Sequence, residues 1–223
     1  MRKRWLVLIL LVVSGLSVLY VRHDLPQVVR SSQVTVAKAA SRLGIKLPLV
    51  GRKETAGATP VEKIVKPGQL KPTYYYHFEP RTPPKTQALF ERAIAVYNAT
   101  GIVNLVAGRP GLGQNGISLY TYHKDLSNQP GYLELGKGGP EIQTISGINL
   151  LTVNRGRAGL NAHYPDRGLQ ESVAIHEIGH VLGLDHSQNR GSVMYAIDQG
   201  HLRLSTGDLL ALQYLYPKKG QKK

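Results

Sequence analysis

The feature that most constrains this chain is an eleven-residue run, His176-Glu177-Ile178-Gly179-His180-Val181-Leu182-Gly183-Leu184-Asp185-His186. Side chains four apart on a helix share one face, so His176 and His180 offer both imidazoles to a point that a single ion can bridge. Gly183 tolerates the left-handed backbone that ends a helix, and the turn it makes brings His186 back as a third ligand. Three neutral imidazoles suit Zn2+ and leave the fourth tetrahedral position open to water, which marks a catalytic rather than a structural site. Glu177 follows His176 directly. Its carboxylate can take a proton from zinc-bound water and later deliver it to a leaving amine.

Composition bounds what surrounds this run. At 223 residues the chain suits one compact domain with tails, and 42% hydrophobic residues exclude global disorder. The absence of cysteine excludes a disulfide scaffold, a thiolate nucleophile and any cysteine-ligated metal. The net charge of +14 is unevenly placed: +10 lies before Thr73, zero between Thr73 and Pro217, and +4 in the last six residues. A nucleic-acid-binding domain carries its basic patch on the folded face, so nucleic acid is not an expected partner.

Arg2, Lys3 and Arg4 precede an uncharged apolar run from Trp5 to Val21. It reaches the lower end of the roughly 17–25 residues that span a bilayer, and its basic flank favours export of the chain beyond it. Residues 1–21 are therefore expected to be either a signal peptide, with Gly15 and Ser17 as a small-x-small cleavage site, or a retained membrane anchor. Either outcome places the protein outside the cell or at the outer face of its membrane. Residues 22–72, with five prolines and scattered lysines, read as a basic stalk holding one short helix around 32–43. Residues 218–223 read as a basic tail.

From Thr73 the pattern is that of a folded domain. A strand is expected at Tyr74–Phe78. A helix comes next, with Thr82 as N-cap, Pro83 at its first position, and Leu89, Phe90, Ala93, Ile94 and Tyr97 facing inward. Strands are expected at 102–107, 117–122 and 148–153, with Tyr132-Leu133-Glu134-Leu135 as an exposed edge. Residues 154–165 read as a loop, and 167–182 as an amphipathic helix capped by Asp166. The last helix starts at Ser205, which forms a capping-box pair with Asp208. Strands and helices mix without strict alternation, which predicts an α+β fold.

Taken together, the extended histidine motif resembles that of the metzincin clan of zinc endopeptidases. Asp185-His186-Ser187 is similar to the matrixin version of it, Ser192-Val193-Met194-Tyr195 resembles the methionine turn, and Leu204 to Asp208 resembles the start of the matrixin C-terminal helix. The resemblance implies a matrixin-like catalytic domain over 73–217: a twisted, mostly parallel five-stranded sheet with an antiparallel edge strand and three helices. It further implies one catalytic Zn2+ on His176, His180 and His186, with Glu177 as the catalytic residue. Met194 would be an apolar support beneath the metal. Tyr132, Leu133, Glu134 and Leu135 would form an edge that pairs with a peptide or protein substrate.

The departures are informative. Animal matrixins hold themselves latent with a propeptide cysteine, and this chain has none. His123-Lys124-Asp125 matches the start of the family's structural zinc site, but 132–134 and 148–153 supply no further histidine; a structural zinc and calcium stay open. Gly207 stands where the family has an acidic residue, and Ala196 where it usually has proline. The reading is an exported zinc-dependent endopeptidase. A peptidoglycan-peptide hydrolase and a non-enzymatic zinc-binding surface module are its alternatives, and the oligomeric state is open.

Overall fold

The computed structural model describes residues 57–129, 133–145 and 151–218, all within the unit Glu54–Lys223. The expectations for residues 1–21, for the stalk as far as 56 with its helix at 32–43, for residues 219–223, for Tyr132 and for 148–150 lie outside the described residues. Among those described, no helix is long and apolar enough to cross a membrane.

Strands β1 (Thr73–Phe78), β2 (Asn104–Ala107), β3 (Asn115–Tyr122) and β6 (Leu151–Asn161) run parallel in the order β2-β1-β3-β6. β4 (Gly136–Gly139) and β5 (Ile142–Ile145) both pair antiparallel with β6. Gly136 faces Leu160, Gly139 faces Arg157, Ile142 faces Asn154 and Ile145 faces Leu151, so one register runs through both strands. They are two halves of a single edge strand interrupted at Pro140, which has no N–H for a ladder. The mixed, mostly parallel sheet with an antiparallel edge is thus present, with six assigned strands in place of five.

Helix α1 (Pro84–Asn98) and helix α3 (Glu171–Val181) pack together against the sheet, α1 through Phe90, Ile94 and Tyr97, α3 through Ile175, Ile178 and Leu182. The Tyr97 hydroxyl donates to the carbonyl of Ile175 at 2.8 Å, pinning α1 to the helix that carries the histidines. The end of α3 is held equally firmly. The Asn154 amide donates to Val181 O at 2.7 Å and the Tyr216 hydroxyl to Leu182 O at 2.9 Å. Last-turn carbonyls lack helical partners, and these two side chains satisfy them from β6 and from the end of helix α4 (Thr206–Leu215).

Several boundaries differ from the sequence reading. α1 begins one residue late: Pro83 is the N-cap, while Thr82 instead donates its hydroxyl to Glu79 O. The helix expected at 167–182 is split into the single turn α2 (Pro165–Gly168) and α3, which starts at Glu171. Gly168 fits tightly beneath Asn161 and Leu135, where a Cβ would meet their backbones. The loop expected at 154–165 is mostly strand β6. Asn154, Gly156 and Ala158 lie on the face toward α3, where Val181 sits close above Gly156; on the other face the Tyr120 ring covers Gly159. The edge strand lies at Gly136–Gly139 rather than Tyr132–Leu135; Leu133 to Leu135 lead into it without being strand.

The domain also starts before Thr73. Val65 and Leu70 are buried in the core, Val61 bridges to Leu184, and Thr59 N donates to Gly207 O at 3.0 Å. Isolated apolar residues between prolines show no periodicity, which is why 57–72 reads as linker.

Candidate metal centre

Gly183 adopts φ +97° after α3, and Leu184 N donates to Gly179 O at 3.0 Å, closing the helix in a left-handed turn. This turn redirects the chain so that His186 meets the two helical histidines. One ligand-capable atom from each of His176, His180 and His186 falls within 4.8 Å of the others. Among the described residues this is the one grouping of three or more metal-ligating side chains.

Carbonyls fix the histidine tautomers. His176 Nδ1 lies 2.8 Å from Val193 O, and His180 Nδ1 lies 3.0 Å from Leu184 O. Each Nδ1 must carry the proton to make that bond, so each neutral ring has a bare Nε2. The two Nε2 atoms face each other at 3.0 Å. Two lone pairs at that distance repel unless a cation sits between them. A tetrahedral ion with bonds of about 2.0–2.1 Å sets its nitrogens about 3.3 Å apart, so the donor set fits zinc. Burial pushes His176 down to about 4, with the His180 charge acting in the same direction. Burial likewise lowers His186. Burial also disfavours charge on His180, but the Glu62 and Glu177 carboxylates outweigh it and the net shift is upward; Glu62 Oε1 stands 3.6 Å from His180 Nδ1.

Glu177 is buried beside this centre, and burial raises its carboxyl to about 7; His180 opposes the rise and Glu134 adds to it. Its side chain lies against β4. A Cβ on Gly136 would be 2.5 Å from Glu177 Oε1, and one on Gly138 would be 2.8 Å from Oε2. The edge strand therefore consists of glycine where it meets the glutamate, contrary to ordinary strand preference.

Met194 is fully buried against α3: a Cβ on Gly179 would strike its Sδ and lie 2.8 Å from the Tyr97 hydroxyl. The turn holding it is tied to Asp208. Ser192 Oγ accepts from Met194 N at 2.9 Å and donates to Asp208 Oδ1 at 2.5 Å. Thr59 donates to the same oxygen at 2.5 Å, and Ser205 donates its N–H and hydroxyl to Oδ2 at 2.8 and 2.7 Å. The capping box expected at Ser205 and Asp208 is present, and the same carboxylate also serves the turn and the 57–62 segment.

A cleft of about 980 Å³ opens over the three histidines and Glu177. Leu133, Glu134 and Leu135 lie along one side, and Tyr195 and Ile197 along another. Glu134 is paired with Lys124 at 2.7 Å and accepts from Tyr122 at 3.0 Å. His163 faces Asp125 at 3.4 Å away from the histidine cluster. The structure thus brings His176, His180 and His186 together, with Glu177 lining the same cleft and Met194 packed against their helix. Sequence reasoning missed Gly136, Gly138, Glu62 and the shared role of Asp208. The one signal for the glycines was a Gly-Lys-Gly-Gly run beside a predicted strand.

Three imidazoles on a helix and its glycine turn, with a buried glutamate between the first two in sequence, form a centre that could hold one metal ion. Residues 152–217 match the model of the matrixin family. The chain is 46% identical over 54 residues to Matrilysin of Felis catus, covering 22% of this chain and 21% of that one. It is 47% identical over 51 residues to Matrix metalloproteinase-26 of Homo sapiens, 21% of this chain and 20% of the relative. Against Metalloendoproteinase 2-MMP of Arabidopsis thaliana it is 51% identical over 49 residues, 21% and 13% of the respective chains. Over residues 152–217 the chain is similar to the matrixins. The match spans about a fifth or less of the length of these curated relatives.

Proposed function

We propose that this protein is a zinc-dependent endopeptidase, exported and either secreted or held at the outer face of the membrane by residues 1–21. The observation that carries the reading is the pair of bare Nε2 atoms facing each other at 3.0 Å, backed by carbonyls and flanked by a buried carboxylate. His176, His180 and His186 would hold the ion, which when bound acidifies water and polarises a carbonyl as a Lewis acid.

This chain's own residues supply the rest. Glu177, raised to about 7 by burial, is poised to take a proton from the attacking water and to return it to the leaving amine. Gly136 and Gly138 let the edge strand lie on that carboxylate without a side chain between them. Among the described residues β4 pairs with β6 on one side only, so its other edge would serve as a template for an extended peptide, with Leu133 to Leu135 at its entrance. Met194 and Gly179 set the level of the helix beneath the histidines. Replacing Glu177 by Ala tests the reading: cleavage of peptides should fall by about 10²–10⁴-fold while one zinc per chain is retained. A variant that cleaves as fast as the parent would refute it.

A further inference from the structure

Residues 58–65 form a strap that crosses the end of α3 from outside the region matched by the family model. Its backbone is fixed at three points. Asp185 N donates to Pro60 O at 2.8 Å, Val61 bridges to Leu184, and Glu62 N donates to Gly183 O at 2.8 Å. Both sides of the Gly183 turn are thereby held. Val65 anchors the far end: it is buried, and a Cβ on Gly183 would lie 3.1 Å from it. Thr59 anchors the near end through Asp208, the carboxylate that also holds the Met194 turn.

With the backbone held in this way, the partly buried Glu62 side chain reaches over His180. Its carboxylate stands 3.6 Å from His180 Nδ1, on the side of the ring opposite the Nε2 that faces His176. The ring already donates to Leu184 O, so Glu62 acts through its charge rather than as the primary hydrogen-bond acceptor. A negative charge behind an imidazole makes its other nitrogen a stronger donor to a metal, and such outer-shell partners typically change metal affinity by about 10–100-fold. We propose that Glu62 is a positioning residue of the metal centre, supplied by the strap, that strengthens His180 as a ligand. The proposal rests on the reading of His176, His180 and His186 as the zinc ligands.

The test uses the full chain, with Co2+ as a visible probe and Zn2+ by competition with a chelator. Glu62→Gln keeps the size and backbone and removes the charge; about tenfold weaker affinity is expected, with Glu62→Asp between it and the parent. The metal-free melting temperature should be the same in all three. A Glu62→Gln affinity within twofold of the parent overturns the inference, as does an equal loss of metal-free stability, which would make the residue merely structural. A parent chain that binds no metal, or that binds it equally well after His186→Ala, overturns the ligand reading instead.

Discussion

Gly136 offers the sharpest perturbation, because the three atoms nearest a Cβ placed there all belong to the Glu177 side chain. That Cβ would lie 2.5 Å from Oε1, 2.6 Å from Cγ and 2.7 Å from Cδ of Glu177. Comfortable carbon contacts are about 3.5–4.0 Å, so the carboxylate must retreat by about 1 Å. A misplacement of about 1 Å at a reacting group can cost on the order of 10²-fold, equivalent to about 2.7 kcal/mol of transition-state stabilisation. The flexible glutamate absorbs most of the clash, so the cost in folding stability should stay near the low end of about 1–3 kcal/mol. Gly139 in the same strand has nothing within 4 Å of its Cβ position and serves as the control. The assay is kcat/KM on a quenched fluorescent peptide that the parent cleaves, with zinc content and melting temperature measured on the same samples. Gly136→Ala should lose about 10²-fold in kcat/KM with its zinc kept, and Gly139→Ala should stay within twofold. Activity in Gly136→Ala within threefold of the parent, or equal losses in both variants, would show that the strand does not position Glu177.

The same contacts set other expectations. Asp208→Ala leaves Thr59, Ser192 and Ser205 without their shared acceptor and should destabilise the domain by about 1–3 kcal/mol or more, the cost of buried donors left unpaired, read by urea denaturation. Gly179→Ala drives a methyl into Met194 and the Tyr97 hydroxyl; overpacking of this kind costs about 1–3 kcal/mol, which a thermal melt would show. Removing zinc with a chelator should abolish cleavage and lower the melting temperature, and stoichiometric zinc should restore both, because ligand binding to the folded state alone stabilises it. Asn154→Ala removes the donor to Val181 O and leaves a buried carbonyl unpaired, a loss of about 1–3 kcal/mol detectable as faster amide exchange at the end of α3.

The legible parts of this protein are those whose rules are local. The histidine spacing reports helix periodicity, Gly183 reports the left-handed turn, and Ser205 with Asp208 reports a cap; each depends on residues a few positions apart. The parts that misled depend on partners far away in sequence. Residues 154–161 contain too few apolar side chains to read as a strand, because Gly156 and Gly159 give their side-chain space to Val181 and Tyr120. The edge strand is glycine because Glu177 lies against it, so the more strand-like Tyr132 to Leu135 drew the assignment upstream. The segment at 57–65 looks like tether because its anchors are single residues: Thr59 on Asp208, Val61 on Leu184, Val65 in the core. Even Asp208, read correctly as a cap, showed only one of its three attachments.

The central claim, peptide-bond hydrolysis at this centre, is tested most directly by incubating the zinc-loaded full chain with a broad peptide library and identifying new termini by mass spectrometry. New internal termini should appear with the parent chain and vanish with Glu177→Ala at equal zinc content. A parent chain that holds one zinc on the three histidines yet generates no new termini would contradict the account and leave a metal-binding module in its place.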